Sequence, residues 1–388
     1  MKYIPLNSLV ILVDADQAGV LSVFDHSEIV THQGIRASLG IDHSRRDLDS
    51  LIKDEIDRLV FIRLSLGQRV VLDIPSLSVE ERHFFAKKAS TLGFQPIYLT
   101  ADLAKRRDLL NGDKVAYVVD QSREVRVVRP IENDFFAGIK SRGYDGVTVV
   151  ADVHGMMPAL QNAVTWARSR NHFLFFLGDI VDYGAESAEV ANEVYKLWQH
   201  GHAEALMGNH ERKIFRYFHQ LATLGLSRVR LSEGNQVTVD KVESMSKPDR
   251  DRWVSRFMAM CNAMRTHRVD GDFIFAHGAV KPGMWNIQDH RLPRGLEEAA
   301  LFGEVDDSKK VPGAPPNRVY NWVDLLTENQ CAIVGHDVRS QFDPYIHKGE
   351  RGGKAIFLDT GCGKTGHLST VDIRFTQQGV KVENFNFH

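Results

Sequence analysis

Cysteine is scarce and scattered: Cys261, Cys331 and Cys362 are the three in 388 residues. An odd number at wide spacing gives no disulfide framework and fits a reducing compartment. No CxxC pair occurs, which excludes a zinc ribbon. Net charge is almost absent, since 48 basic residues face 50 acidic ones and leave −2. Coating of nucleic acid by bulk electrostatics is therefore excluded, while local patches can still hold phosphate. No apolar run approaches membrane-spanning length. Lys2 is the only positive flank at the start, and Asp14 and Asp16 interrupt the apolar run behind it, so no secretory signal and a cytoplasmic location are expected. Repeats and low-complexity tracts are missing. What remains, 43% hydrophobic and 25% charged, is ordinary for a globular chain with a large core, and the length implies two domains.

The chemistry is concentrated in residues 147–211. VTVVADVHG, FLFFLGDIVDYG and EALMGNHE each join a short apolar run to polar residues of metal-ligand type. Such runs read as buried strands. Helix-like spacing over 158–170 and 186–200 makes the order strand–helix–strand–helix–strand, hence a parallel sheet, whose ligands gather at the carboxyl ends of its strands. Asp152 and His154 are two apart, so at a strand end they project to one side. Asp179, Asn209 with His210, then His277 after FIFA and His336 after CAIVG, stand in equivalent places. These are too many ligands for one ion. They suit a pair of divalent ions that clamp both oxygens of an in-line displacement. Mixed O and N donors favour Mn, Fe or Zn over Mg or Ca.

DxHG, GDxVDxG, GNHE, HG and GH in this order resemble the calcineurin-like metallophosphoesterases, more narrowly their phosphoprotein phosphatase branch. The pieces LFGEVDD, VYNWVDLL, VGHD and DTG resemble the phosphatase module of bacterial polynucleotide kinase-phosphatases. The resemblance covers about two-thirds of the chain and implies a helix-flanked β-sandwich with two divalent ions, Mn²⁺ foremost, with Fe, Zn or Ni as alternatives. It implies that Asp152, His154, Asp179 and His336 hold one ion, that Asn209 and His277 complete the second, and that Asp179 bridges. Water between the ions becomes the nucleophile. His210 is then the general acid, oriented by Asp182, and Asp359 orders the site.

Three departures stand out. Tyr183 replaces the arginine of the family's VDRG, which grips phosphate; a phenol offers one hydrogen bond and no charge. Asp337 follows His336 where the family has threonine, and HAG has become HGA at 277–279. Arg339 is the candidate replacement cation. Tyr183 also favours substrates carrying one charge fewer, such as diesters or cyclic phosphates. Arg212 is expected to lie on a solvated face. Gly363–Thr365 (GKT) resembles the end of a P-loop, but Leu358 occupies the required first glycine.

Residues 1–125 are expected to form an α/β domain laid out like a P-loop kinase: strands at 9–13, 69–73 and 96–99, helices at 48–66 and 79–92, and a basic lid at 101–110. The chemistry is gone. Aligned on Gly19, Asp14 replaces the first P-loop glycine, Val20 the lysine and Leu21 the hydroxyl residue. Gln33 stands where the resembled kinase domain carries its aspartate, leaving Arg36. An inactive kinase-like domain is expected, kept for packing, docking or homodimerisation. Residues 126–144 read as a linker with a short helix over 131–144, and 145–388 as the phosphoesterase. A loop over 246–252, a helix over 252–267, a proline-rich loop over 309–317 and a C-terminal hairpin assigned to the second sheet complete the reading.

The expected activity is a metal-dependent phosphohydrolase acting on phosphorylated nucleic-acid ends or small phosphoesters, with no membrane partner. The alternatives are a serine/threonine protein phosphatase, a dinucleoside polyphosphate hydrolase, or a catalytically silent scaffold.

Overall fold

A strand buried on both faces reads as an unbroken apolar run, and Leu9–Leu12 does so. In the computed structural model, which describes residues 2–4, 8–13, 21–65, 68–91, 94–100, 125–127, 134–287, 292–306, 317–377 and 379–388, this run forms the strand β2. The diverged loop 14–20, the basic segment 101–110 and the proline-rich 309–316 lie outside the described residues. The chain divides into two units, one of Met1–Pro130, Gln199–Gly201 and Ser246–Ala263, the other of Ile131–Trp198, His202–Met245 and Met264–His388. None of the helices among the described residues is long and apolar enough to cross a membrane.

The first unit holds β1 (Lys2–Ile4), β2 (Ser8–Leu12), β3 (Ile29–Thr31), β4 (Val70–Asp73), β5 (Gln95–Leu99) and β6 (Val125–Val127). β3, β4, β2 and β5 form a sheet in that order, parallel throughout, and β1 pairs with β6. Alternation sends Leu9 and Ile11 to one core and Val10 and Leu12 to the other. The helix Asp49–Ser65 offers Ile52, Ile56, Val60 and Leu64, four residues apart, to the first of these cores. Each such burial is worth about 2 kcal/mol relative to exposure. The helix Val79–Thr91 adds Phe85, Ala86 and Ala89 to it.

A later segment joins this core. The helix expected over 252–267 runs from Lys247 to Ala263 and contributes Ala259. Its start is earlier than expected because Ser246 caps it, its hydroxyl oxygen accepting from the Asp249 amide at 3.4 Å and donating to the Asp249 carboxylate at 2.6 Å, and Pro248 suits a first helical turn. Arg36 is 4% exposed. Its guanidinium donates to the carbonyls of Asp42 and Arg45 and pairs with Asp49, so local structure takes up its hydrogen bonds.

The second unit is a sandwich. One sheet has the order β16–β15–β7–β8–β9, from β7 (Gly146–Val150), β8 (His172–Phe176), β9 (Ala203–Ala205), β15 (Ser369–Thr376) and β16 (Gly379–Phe387). The other has the order β10–β11–β12–β14–β13, from β10 (His267–Asp270), β11 (Phe273–Ala276), β12 (Cys331–Val334), β13 (Tyr345–Lys348) and β14 (Lys354–Phe357). β7, β8 and β9 are parallel, as are β11, β12 and β14. The C-terminal hairpin was expected in the second sheet, but β15 runs antiparallel to β7 in the first, Thr370 opposite Val150. Alternation marks a hairpin without naming its neighbour; here Val371 and Ile373 face inward with Val147 and Val149.

The inner faces pack Phe173, Phe175, Phe275, Ile333 and Ile356 together. The short helix expected over 131–144 spans Phe135–Ser141 and lies within this core, with Phe135 and Ile139 fully buried. The helices Met157–Ser169 and Ser187–Gln199 follow β7 and β8 as the spacing predicts. Six parallel strands therefore end on one side, which is where the polar motifs follow them.

Candidate active site

The side chains that follow these strands converge on Asp179. Its carboxylate lies 3.3 Å from His277 Nε2, 3.7 Å from His210 Nε2 and 3.9 Å from His154 Nε2. The His210 amide donates to its other oxygen at 3.0 Å. Asp152 is buried, and the His336 amide meets both of its oxygens at 3.1 Å. Asn209 places Oδ1 2.8 Å from His277 Nε2. All six expected ligand positions thus fall in one connected group.

The imidazoles are set for coordination. His154 Nδ1 lies 3.1 Å from the Val181 carbonyl and His277 Nδ1 3.1 Å from that of Leu177. A carbonyl only accepts, so each Nδ1 carries a proton and each Nε2 is the ring atom turned toward Asp179. Two sets share that carboxylate, His154–Asp179–His210 and Asp179–His277–His336, each with ligand atoms within 4.8 Å of one another. Buried carboxylates beside imidazole nitrogens are a donor set that fits divalent cations of borderline hardness. His336 goes with His277, their rings 4.9 Å apart, because β11 and β12 are neighbours and both residues follow them.

Backbone strain marks the same place. Of the seven non-glycine residues with positive φ among those described, five are His154, Asp179, Asp182, Tyr183 and His336. Such conformations persist only where surrounding bonds over-determine them. At Asp179, Glu211 supplies those bonds. Fully buried, it accepts from the amides of Asp179 at 2.7 Å, Ile180 at 2.8 Å, Val181 at 3.1 Å and Gly208 at 3.2 Å. A Cβ on Gly208 would strike Asp179, so only glycine lets these two turns touch.

His210 Nδ1 lies 2.5 Å from Asp182. Asp182 is fully buried and also accepts from Thr238 at 2.5 Å and from Asn235, while its amide donates to Ser187 at 2.7 Å. Burial alone would lower the His210 pKa, but the Asp179 and Asp182 carboxylates outweigh it and raise it to about 9. Asp179 balances the other way: burial favours its neutral form, yet His210 and His277 hold its carboxyl well below the usual range. Burial pushes Asp359 up to about 6, although the Gly361 amide donates to it at 2.8 Å.

The expected substrate contacts separate. Arg339 packs its guanidinium 3.8 Å from the Tyr320 ring centroid and 5.0 Å from that of Tyr345, with no ion pair to a carboxylate among the described residues. The arginine at the ligand group is Arg318, which the sequence reading missed. It donates to His336 Nε2 at 2.8 Å and to the Phe302 carbonyl at 2.7 Å. Asp337, the unexpected residue after His336, lies 3.3 Å from Arg318 Nε and fixes it. No spacing rule links Arg318 to His336; a bridge to Val305 brings it there. Arg212, part-exposed, is paired with Glu297 at 2.5 and 3.1 Å. Tyr183 lies edge-on to His154 with centroids 4.8 Å apart.

A model of the calcineurin-like phosphoesterase family matches residues 146–339. Among curated proteins, the chain is 25% identical over 226 residues to the asymmetrical bis(5′-nucleosyl)-tetraphosphatase PrpE of Bacillus velezensis, spanning 55% of this chain and 83% of that one. The protein of the same name from Bacillus subtilis is 22% identical over 226 residues, 55% and 85% of the two chains. Among solved structures, a protein serine/threonine phosphatase from Saccharomyces cerevisiae aligns at a TM-score of 0.39 and 16% identity, covering 63% of this chain and 81% of that one.

Proposed function

As the chain belongs to the calcineurin-like phosphoesterase family and is a metal-dependent phosphoester hydrolase, we propose that it cleaves nucleotide-derived phosphate compounds at the group around Asp179. Dinucleoside polyphosphates are the first substrate class and phosphorylated nucleic-acid ends the second. The observation that carries this reading is the convergence of Asp152, His154, Asp179, Asn209, His277 and His336 on one side of the sandwich, beside the His210–Asp182 pair. The names of the PrpE relatives support the first class. The parallel strand order of the first unit, β3–β4–β2–β5, compatible with the kinase-like layout expected from the sequence, supports the second.

Those six residues would hold two divalent ions, which would supply Lewis acidity to activate water and offset phosphoryl charge. Mn²⁺ fits the donor set, and its identity stays open to Fe, Zn or Ni. The chain does the rest. His210 holds a proton on Nε2 for the departing oxygen, because Asp182 fixes Nδ1–H and favours the charged ring. Asn235 and Thr238 keep Asp182 from turning. Arg318 offers its fork to non-bridging phosphoryl oxygens, the role sought at Arg339. Asp359 sets the turn beside Asp152.

The test is phosphate or nucleotide release with Mn²⁺ from diadenosine tetraphosphate, a 3′-phosphate oligonucleotide, its 2′,3′-cyclic form and a phosphoserine peptide. Turnover of the tetraphosphate above the others, lost in Asp179→Asn, is expected. Preference for the oligonucleotides selects the second class, and preference for the peptide overturns both.

A further inference from the structure

Lys364 belongs to the GKT stretch that forms no P-loop and that the reaction above leaves unused. The segment after β14 is a tight turn: the Lys364 amide donates to the Gly361 carbonyl at 3.1 Å and that of Gly366 to the same oxygen at 3.0 Å. Gly361 and Gly363 have positive φ. Gly363 is required for a second reason, since a Cβ there would lie 2.6 Å from that of His154. The turn is thereby pressed against the strained segment that carries Tyr183. Lys364 Nζ sits 4.4 Å from the Tyr183 ring centroid. It is exposed and forms no ion pair among the described residues. A cation held on an aromatic face, in the field of buried Asp359 but in no ion pair among the described residues, is poised for an anion from outside.

We propose that Lys364 is a substrate-binding cation, seated by the Tyr183 ring, and that the pair restores the charge lost where Tyr183 replaces an arginine. This rests on the phosphohydrolase reading. Tyr183 is then a positioning residue: its ring meets the edges of His154 and, at 5.3 Å, of His210, and it carries the ammonium to the mouth of the site. An ammonium is a point charge without a planar fork, so it responds to net substrate charge rather than to bidentate geometry. The ligand class is a dianionic or polyanionic phosphate. A monoanionic diester gains less, which reverses the diester preference expected from Tyr183 alone.

The experiment uses the full chain with Mn²⁺ and two probes, p-nitrophenyl phosphate and bis(p-nitrophenyl) phosphate, together with calorimetric binding of inorganic phosphate. Lys364→Ala is expected to raise KM for the monoester and Kd for phosphate about tenfold, with kcat and the diester KM within about twofold. Lys364→Arg is expected to recover most of the loss, and Tyr183→Leu to reproduce part of it. An unchanged melting temperature separates these effects from misfolding. Equal losses on both esters, or unchanged phosphate binding in Lys364→Ala, overturn the proposal. A wild-type chain that binds phosphate through Lys364 yet turns over neither ester overturns the hydrolase reading instead.

Discussion

The two units use the same device, parallel strands that end on one side, and do different things with it. In the second, His and Asp residues after four strands converge on one carboxylate, and buried Glu211 holds the turn of that carboxylate, Asp179, in its left-handed conformation. In the first, β4 ends in Asp73, whose pKa burial raises, and Arg36 is absorbed by the Asp42–Asp49 segment. No group of potential metal ligands appears there among the described residues. Strand ends supply a place, but a site needs polar groups whose backbones are strained and tied together.

Substitutions can break or sharpen this contrast. The largest effect is expected for His210→Ala, which should lower kcat by about 10²–10⁴-fold in steady-state assays, with Asp182→Asn losing a substantial part of that. Next, Arg318→Ala should lower kcat/KM by roughly 10²-fold. Arg339→Ala should instead lower the melting temperature while kcat/KM changes by less than about threefold, since that guanidinium covers aromatic rings. The reverse ranking would return the phosphate contact to Arg339.

Two smaller effects concern buried charges that serve structure. Asp372 is fully buried, accepts from Thr148 at 2.8 Å and Trp166 at 3.0 Å, and lies 3.2 Å from Arg170. Burial alone would raise its pKa, but His172 and these donors lower it. A carboxyl depressed on folding stabilises above its unfolded value near pH 4 and loses that contribution as pH falls through the folded value. Asp372→Asn should therefore cost about 1–3 kcal/mol at neutral pH and flatten the acid limb of urea unfolding below about pH 4. Smallest for catalysis is Arg36→Ala. It should destabilise the first unit by about 1–3 kcal/mol and leave p-nitrophenyl phosphate turnover unchanged. Lost turnover in a folded variant would tie the two units together functionally.

How much of this was legible follows from locality. The runs before Asp152, Asp179, His277 and His336 announced buried strands, and the polar residues behind them announced a site. The helices over 49–65 and 79–91 were readable from their apolar spacing. Non-local facts were not readable. Which histidines share a carboxylate depends on β11 lying beside β12. The hairpin's sheet depends on β15 finding β7. Arg318 reaches His336 through a bridge between irregular segments, whereas Arg339, closer in sequence, turns into Tyr320. Glu211 sits in the first turn of the helix Asn209–Leu224, and its hold on the amides of Asp179, Ile180 and Val181, about thirty positions earlier, had no local signal.

The helix Lys247–Ala263 has a consequence for biosynthesis. The first unit finishes its four-stranded sheet at Leu99, yet a residue of its core, Ala259, is supplied more than 150 positions later, after much of the second unit has been made. During synthesis the N-terminal sheet must wait, one patch uncovered, for a helix that arrives from within the other unit's sequence. A fragment ending at residue 130 would lack that helix permanently. Its solubility should improve when the peptide 246–263 is supplied in trans.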